Sequence, residues 1–132
     1  MTNTASEAGH RAMAAVGSGD REAWFSSYSD DAVLHDPVGG SPLDPDGKGI
    51  AGRAELERFW DLTIAPNEIS FEVREVHAAG AEAAFVATVS AKFPTGNAVS
   101  YDGVFVYAVD DQGRIETLRG YWNLATVLAA FS

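Results

Sequence analysis

The hydrophobic period of the chain changes once. Before residue 65 apolar residues recur at helical spacing in three segments; beyond it they alternate at period two. Segment 5–16 predicts a helix with Ala12, Ala15 and Val16 on one face, stopped by Gly17-Ser18-Gly19. Asp20 reads as the N-cap of a second helix whose apolar stripe runs through Trp24, Phe25 and Tyr28, with Ser29-Asp30-Asp31 as its breaker. Segment 53–64 predicts a third, with Leu56, Phe59, Trp60 and Thr63 set among Glu55, Glu57, Arg58 and Asp61. Between the second and third helices, residues 32–36 read as a short strand. The glycine- and proline-rich stretch 38–52 that follows is a long loop for a compact domain, and such loops often rim a site.

In the second half, Ile69, Phe71 and Val73 alternate with Glu68, Ser70, Glu72 and Arg74 in a strand running to His77. Segment 82–93 puts Phe85, Ala87, Val89, Ala91 and Phe93 on one side; segment 99–109 does the same with Tyr101, Gly103, Phe105 and Tyr107. Segment 114–123 is a fourth strand, and glycine-containing turns join all four. Three helices with a short strand pair, then four antiparallel strands, predict an α+β fold: a curved antiparallel sheet wrapped around the N-terminal helices, forming a cone with an interior pocket. A length of 132 residues with 46% hydrophobic content fits a single domain over 1–132 that buries its own core.

Charge and composition narrow the chemistry. Nineteen acids against nine bases give a net charge of −10, which repels phosphate backbones and anionic membranes, so neither nucleic acid nor membrane is an expected partner. The chain has no cysteine, which excludes disulfides and thiolate metal sites. His10, His35 and His77 lack metal-ligand spacing, and Gly17-Ser18-Gly19 lacks the lysine of a phosphate loop. No metal and no cofactor are therefore expected. Residues 1–9 carry no basic run leading into an apolar one, and no stretch approaches the roughly 18 apolar residues of a membrane span. The expectation is a soluble, cytoplasmic protein.

One acid stands out. At period two Asp36 shares a strand side with Ala32 and Leu34, and Pro37 follows it at once. On a core-facing side its carboxyl is partly desolvated, which raises its pKa and makes it a proton acceptor suited to neutral pH. The same Asp-Pro pair also suits a plain turn.

Several segments together resemble a known family. These are Ser29-Asp30-Asp31-Ala32-Val33, His35-Asp36-Pro37-Val38-Gly39, Gly52-Arg53-Ala54-Glu55-Leu56 leading to Phe59-Trp60, Glu82-Ala83-Ala84-Phe85 with Thr88-Val89-Ser90, Gly113-Arg114-Ile115 and Gly120-Tyr121-Trp122-Asn123. The chain is similar over nearly its whole length to the ketosteroid isomerases, within the nuclear transport factor 2 and SnoaL-like superfamily.

The resemblance implies a cystatin-like α+β roll and a hydrophobic small-molecule ligand, steroid-like or a polycyclic ketone. It assigns Asp36 as the base that moves a proton from the carbon beside the ketone to a carbon two positions along. It also implies departures. The family's oxyanion tyrosine falls at Ala12, and its oxyanion aspartic acid at Phe105, with Asp102 an odd separation away on the other strand side. Losing one such donor costs about 10²–10³ in rate, so the expectation is a weak isomerase or none, unless Trp60, Tyr28 or Tyr107 supplies a donor. Trp60 stands where the family has a supporting tyrosine, and Trp122 where it has a pocket aromatic. The expected ligand-binding set is Tyr28, Trp60, Phe85, Val89, Phe105, Tyr107 and Trp122, although aromatics at these periods also serve as core. Two other readings stay open: a non-catalytic binder of steroid-like or aromatic molecules, and a SnoaL-like cyclase or epoxide hydrolase. The hydrolase needs an Asp-Arg-Asp group, for which Asp102 and Arg119 are candidates. The family's sheets often pair, which makes a homodimer possible.

Overall fold

The computed structural model describes residues 3–131. Helix α1 spans Thr4–Ser18 and starts with reciprocal caps: the Asn3 side chain accepts from the Ser6 amide at 2.7 Å, and the Ser6 hydroxyl accepts from the Asn3 amide at 2.9 Å. It ends at Gly19, whose φ of 69° is the left-handed conformation that a side chain disfavours. Helix α2, Arg21–Ser27, is capped by Asp20, which accepts from the Ala23 amide at 3.1 Å.

The second helix stops just ahead of Ser29-Asp30-Asp31, as expected, but these residues already belong to a strand. Strand β1 runs Tyr28–His35, so Tyr28 opens a strand instead of closing a helical stripe. The reason is tertiary: β1 pairs with a distant strand, Tyr28 opposite Ile115 and Val33 opposite Thr117, with a register shift that absorbs the polar residues. The two-residue β2, Ile50–Ala51, pairs back on β1. Helix α3, Arg53–Phe59, continues into a wider turn over Trp60–Ile64 in which the Ala65 amide bonds to the Trp60 carbonyl at 2.9 Å.

Strands β3 (Glu68–Ala79), β4 (Glu82–Lys92), β5 (Ala98–Val109) and β6 (Ile115–Tyr121) form the antiparallel meander that alternation predicts. The sheet order is β2-β1-β6-β5-β4-β3, and β1 lies parallel to β6. The sheet is therefore mixed, a correction to the fully antiparallel expectation; side-chain alternation reports which face a residue takes and carries no strand direction.

Segment 114–123 is shorter than expected, and helix α4, Leu124–Leu128, follows it with a tight turn over Ala129–Phe131. At five residues α4 is too short to show a helical period, and its stability is tertiary. The Phe131 ring packs on Phe93 at 4.6 Å, and the Asn97 side-chain amide donates to the Ala130 carbonyl.

The concave face of the sheet holds the core. Helix α1 reaches it through Ala5, Ala8 and Ala12, each at most 1% exposed. A Cβ on Gly9 would sit 2.5 Å from the Phe85 ring, so this glycine sets how closely the helix approaches the sheet. No described helix is long and apolar enough to cross a membrane.

Candidate functional site

A cavity of about 510 Å³ opens between the concave face of the sheet, the α3 segment and the C-terminal turn. That size falls in the range of small-molecule sites. Ser41, Pro42 and Leu43 of the long loop form part of its lining, and Leu124, Val127 and Phe131 another part. Asp44 orders the loop from within, its buried carboxylate accepting from the Gly49 amide at 3.0 Å.

Asp36 lines this cavity. Ala32 and Leu34 are fully buried, and Asp36, one step past the strand end, keeps their side of the chain while remaining half-buried. The turn is pinned to β6: His35 pairs with Arg119, and the Val38 amide donates to the Gly120 carbonyl at 2.8 Å. The Trp122 indole N–H donates to Asp36 Oδ1 at 2.5 Å. Burial raises the Asp36 pKa above the ordinary carboxylate value, and the bond from Trp122 opposes the shift.

Of the residues expected at the site, Tyr28, Val89, Phe105, Tyr107 and Trp122 line the cavity together with Asp36. Trp60 and Phe85 stand outside that lining and pack in the core. Trp60 is 3% exposed and rests on Trp24 and Phe25, with ring centroids at 5.3 and 6.4 Å. Phe85 is fully buried between His10 and Tyr107 because α1 covers that part of β4. Ala12 is equally enclosed and brings no donor.

Asp102 lies on the outer face of the sheet. The β4–β5 register runs without a shift from Glu82↔Ala108 to Lys92↔Ala98, so no bulge turns it inward. There it accepts from the Thr88 hydroxyl at 2.6 Å and pairs with Arg74 at 3.3 Å, and these contacts hold its pKa below the usual value. Arg119 is exposed and outside the cavity lining. The Asp-Arg-Asp group of a hydrolase is therefore not assembled from these residues.

Two residues that bear on Asp36 were not among the expected site residues. Tyr101 lines the cavity, its ring 4.8 Å from Trp122. Its signal was the strand side it shares with Phe105 and Tyr107. Gly120 is the other: a Cβ there would stand 2.5 Å from Asp36 Oδ1 and 2.9 Å from Trp122 Nε1. A glycine inside a strand is the mark of such a close approach.

Three phenols share the site. Burial raises the pKa of Tyr28 well above its ordinary value, and the neighbouring Tyr107 and the charge of Asp36 add to the shift while a hydrogen bond from Trp24 opposes it. Tyr101 and Tyr107 are raised by burial and then by Asp36. All three are neutral donors at neutral pH. Among the described residues no group of His, Asp and Glu is placed to hold a metal.

An open, curved, mixed sheet around a deep apolar cavity defines a cone-shaped α+β protein of the nuclear transport factor 2-like class. Residues 10–117 match the SnoaL-like domain family. Among solved structures, a Δ5-3-ketosteroid isomerase from Mycobacterium sp. is 36% identical with a TM-score of 0.89, over 95% of this chain and 97% of that one. RV0760c from Mycobacterium tuberculosis is 34% identical with a TM-score of 0.89, over 96% of both chains. The epoxide hydrolase/cyclase-like SalBIII, at 21% identity over 91% of both chains and a TM-score of 0.77, shares the fold. The chain belongs to the SnoaL-like domain family, and within the nuclear transport factor 2-like superfamily it is a ketosteroid isomerase-like member.

Proposed function

We propose that the protein binds a hydrophobic fused-ring ketone and shifts its double bond by proton transfer through Asp36. The observation that carries this reading is a half-buried carboxylate, held by the Trp122 N–H, on the wall of an apolar cavity that also holds the neutral phenols Tyr28 and Tyr107. Asp36 takes the proton from the carbon between ketone and alkene. The C–H electron pair then moves toward the carbonyl oxygen, giving a dienolate whose charge a tyrosine hydroxyl stabilises by hydrogen bonding. The protonated Asp36 returns its proton at the far carbon of the former double bond, and the product is the conjugated ketone. Atoms balance with no cofactor, because one proton leaves and one returns.

Similarity to a Δ5-3-ketosteroid isomerase supports the reading, as do the complex of RV0760c with estradiol-17β-hemisuccinate and a designed 17-OHP binder, 34% and 32% identical to this chain. The absence of cysteine and of any apolar membrane-length helix among the described residues agrees with a cytoplasmic setting, and a homodimer belongs to the same proposal. A second reading, a non-catalytic binder, draws on the buried apolar side chains of Ala12 and Phe105, which carry no donor.

Conversion of a β,γ-unsaturated 3-ketosteroid, followed by ultraviolet absorbance in wild type and Asp36→Asn, separates the two. The isomerase reading expects turnover that collapses by orders of magnitude in the variant while steroid affinity persists or rises, since an amide costs less to bury than a carboxylate. Steroid binding by the wild type with turnover no faster than buffer assigns the protein as a binder.

A further inference from the structure

The lining of the cavity carries a single formal charge. Asp36 is its one acid, and no lysine, arginine or histidine stands among the described lining residues. The carboxylate receives one indole N–H, and no cationic side chain pairs with it among the described residues. A carboxylate taken out of water without a counter-charge is costly, and a ligand that brings the missing positive charge recovers part of that cost. Electron-rich rings line the same cavity as Asp36. Tyr101 and Trp122 are in contact at 4.8 Å, Trp24 and Tyr28 at 4.7 Å, and Tyr107 joins them in the lining. Aromatic walls around an acid are how proteins hold organic cations, above all weakly hydrated quaternary ammonium groups. The net charge of −10 draws cations toward the molecule as a whole.

We infer that the cavity is a receptor for hydrophobic organic ammonium ions, bound with the cationic nitrogen beside Asp36 and the hydrocarbon body along Phe105, Val89 and the mouth. The inference rests on the same pocket as the proposed isomerase and widens its ligand class from neutral ketones to amines carrying a fused-ring or aromatic body. Such amines would compete with ketone substrates, because the cation would occupy the place beside Asp36 that the reacting carbon of a ketone takes.

The test compares (naphthalen-2-ylmethyl)trimethylammonium with its carbon isostere 2-neopentylnaphthalene, which differs from it only in the charge. Binding is read by tryptophan fluorescence and by calorimetry. The ammonium ion should bind wild type at least about tenfold tighter than the isostere, a preference within reach of an ion pair with a desolvated cation–π contact. Asp36→Asn should erase the preference while the isostere still binds, which also certifies the fold of the variant. Tyr101→Leu should weaken the ammonium ion more than the isostere. Equal affinities in wild type, a preference that survives in Asp36→Asn, or no binding of either probe would each overturn the inference. A ketosteroid that turns over beside a missing ammonium preference sinks this inference alone. An ammonium preference beside absent turnover sinks the isomerase reading alone.

Discussion

Gly120→Ala is the most informative single change, because it adds one methyl group at the point where Asp36 and Trp122 meet. Gly120 sits in β6 opposite Phe105 and is not among the glycines with positive φ, so alanine strains no backbone angle there. The effect is steric. Its Cβ would stand 2.5 Å from Asp36 Oδ1, 2.9 Å from Trp122 Nε1 and 3.2 Å from Trp122 Cδ1. Relief to ordinary contact requires about 1 Å of movement by the carboxylate or the indole, and either breaks their hydrogen bond. Overpacking of this kind costs about 1–3 kcal/mol of stability. A reacting group displaced by about 1 Å can cost about 10²-fold in rate. Gly120→Ala should therefore reduce isomerisation about 10²-fold and move the Asp36 titration further up, since Trp122 no longer opposes burial. The titration can be followed by carbon NMR of the labelled carboxyl, independently of turnover. Gly9→Ala is the control: its Cβ meets the Phe85 ring at the same 2.5 Å and the Tyr107 ring at 3.0 Å, and neither Asp36 nor Trp122 is among its nearest neighbours. It should lower stability and leave the Asp36 titration in place. An unchanged Asp36 titration in Gly120→Ala, with the Trp122 bond intact in its structure, would refute the reasoning.

The other predictions concern the remaining polar groups. A carboxyl whose folded pKa lies above its unfolded value stabilises the protein below the unfolded pKa, near about 3.9, and loses that contribution as pH rises through the folded pKa. Asp36→Asn should therefore unfold at higher denaturant than wild type at neutral pH, with the difference shrinking as the pH falls into the acid range; a difference independent of pH would contradict the desolvated state. If Tyr28 or Tyr107 stabilises the dienolate, its replacement by phenylalanine should lower kcat by about 10²–10³ with little change in KM, and two inert replacements would remove both as donors. Asp102→Asn should leave steroid turnover and affinity unchanged, because its contacts with Thr88 and Arg74 lie on the outer face; a large loss of activity would place it in the chemistry after all.

Much of this was readable along the chain, and residue by residue the limits are clear. The alternation Ala32, Leu34, Asp36 put the acid on the side of two apolar residues, and Asp36 lines the cavity. The same logic grouped Phe85 with Val89 and Tyr101 with Phe105, yet Phe85 is sealed in the core while Tyr101 reaches the cavity. Period two names a face and says nothing of position along the strand; α1, seated through Gly9 and its alanines, decides which part of that face is covered. Trp60 repeats the lesson on a helix, where the predicted apolar stripe is present and the ring turns into the Trp24 cluster.

The order of helical and alternating segments, the strand parity that Asp36 shares with Ala32 and Leu34, the negative charge and the absence of cysteine belong to local pattern and composition, which need no partner to be expressed. The parallel pairing of β1 with β6 belongs to the tertiary structure alone. That pairing brings Gly120 against Asp36, and Trp122 against it across 86 positions of sequence, and with them the hydrogen bond and close packing that tune the carboxylate. Hydrophobic period is a one-body property of each segment, whereas desolvation, hydrogen bonding and cavity shape arise only between segments that the sheet has brought together.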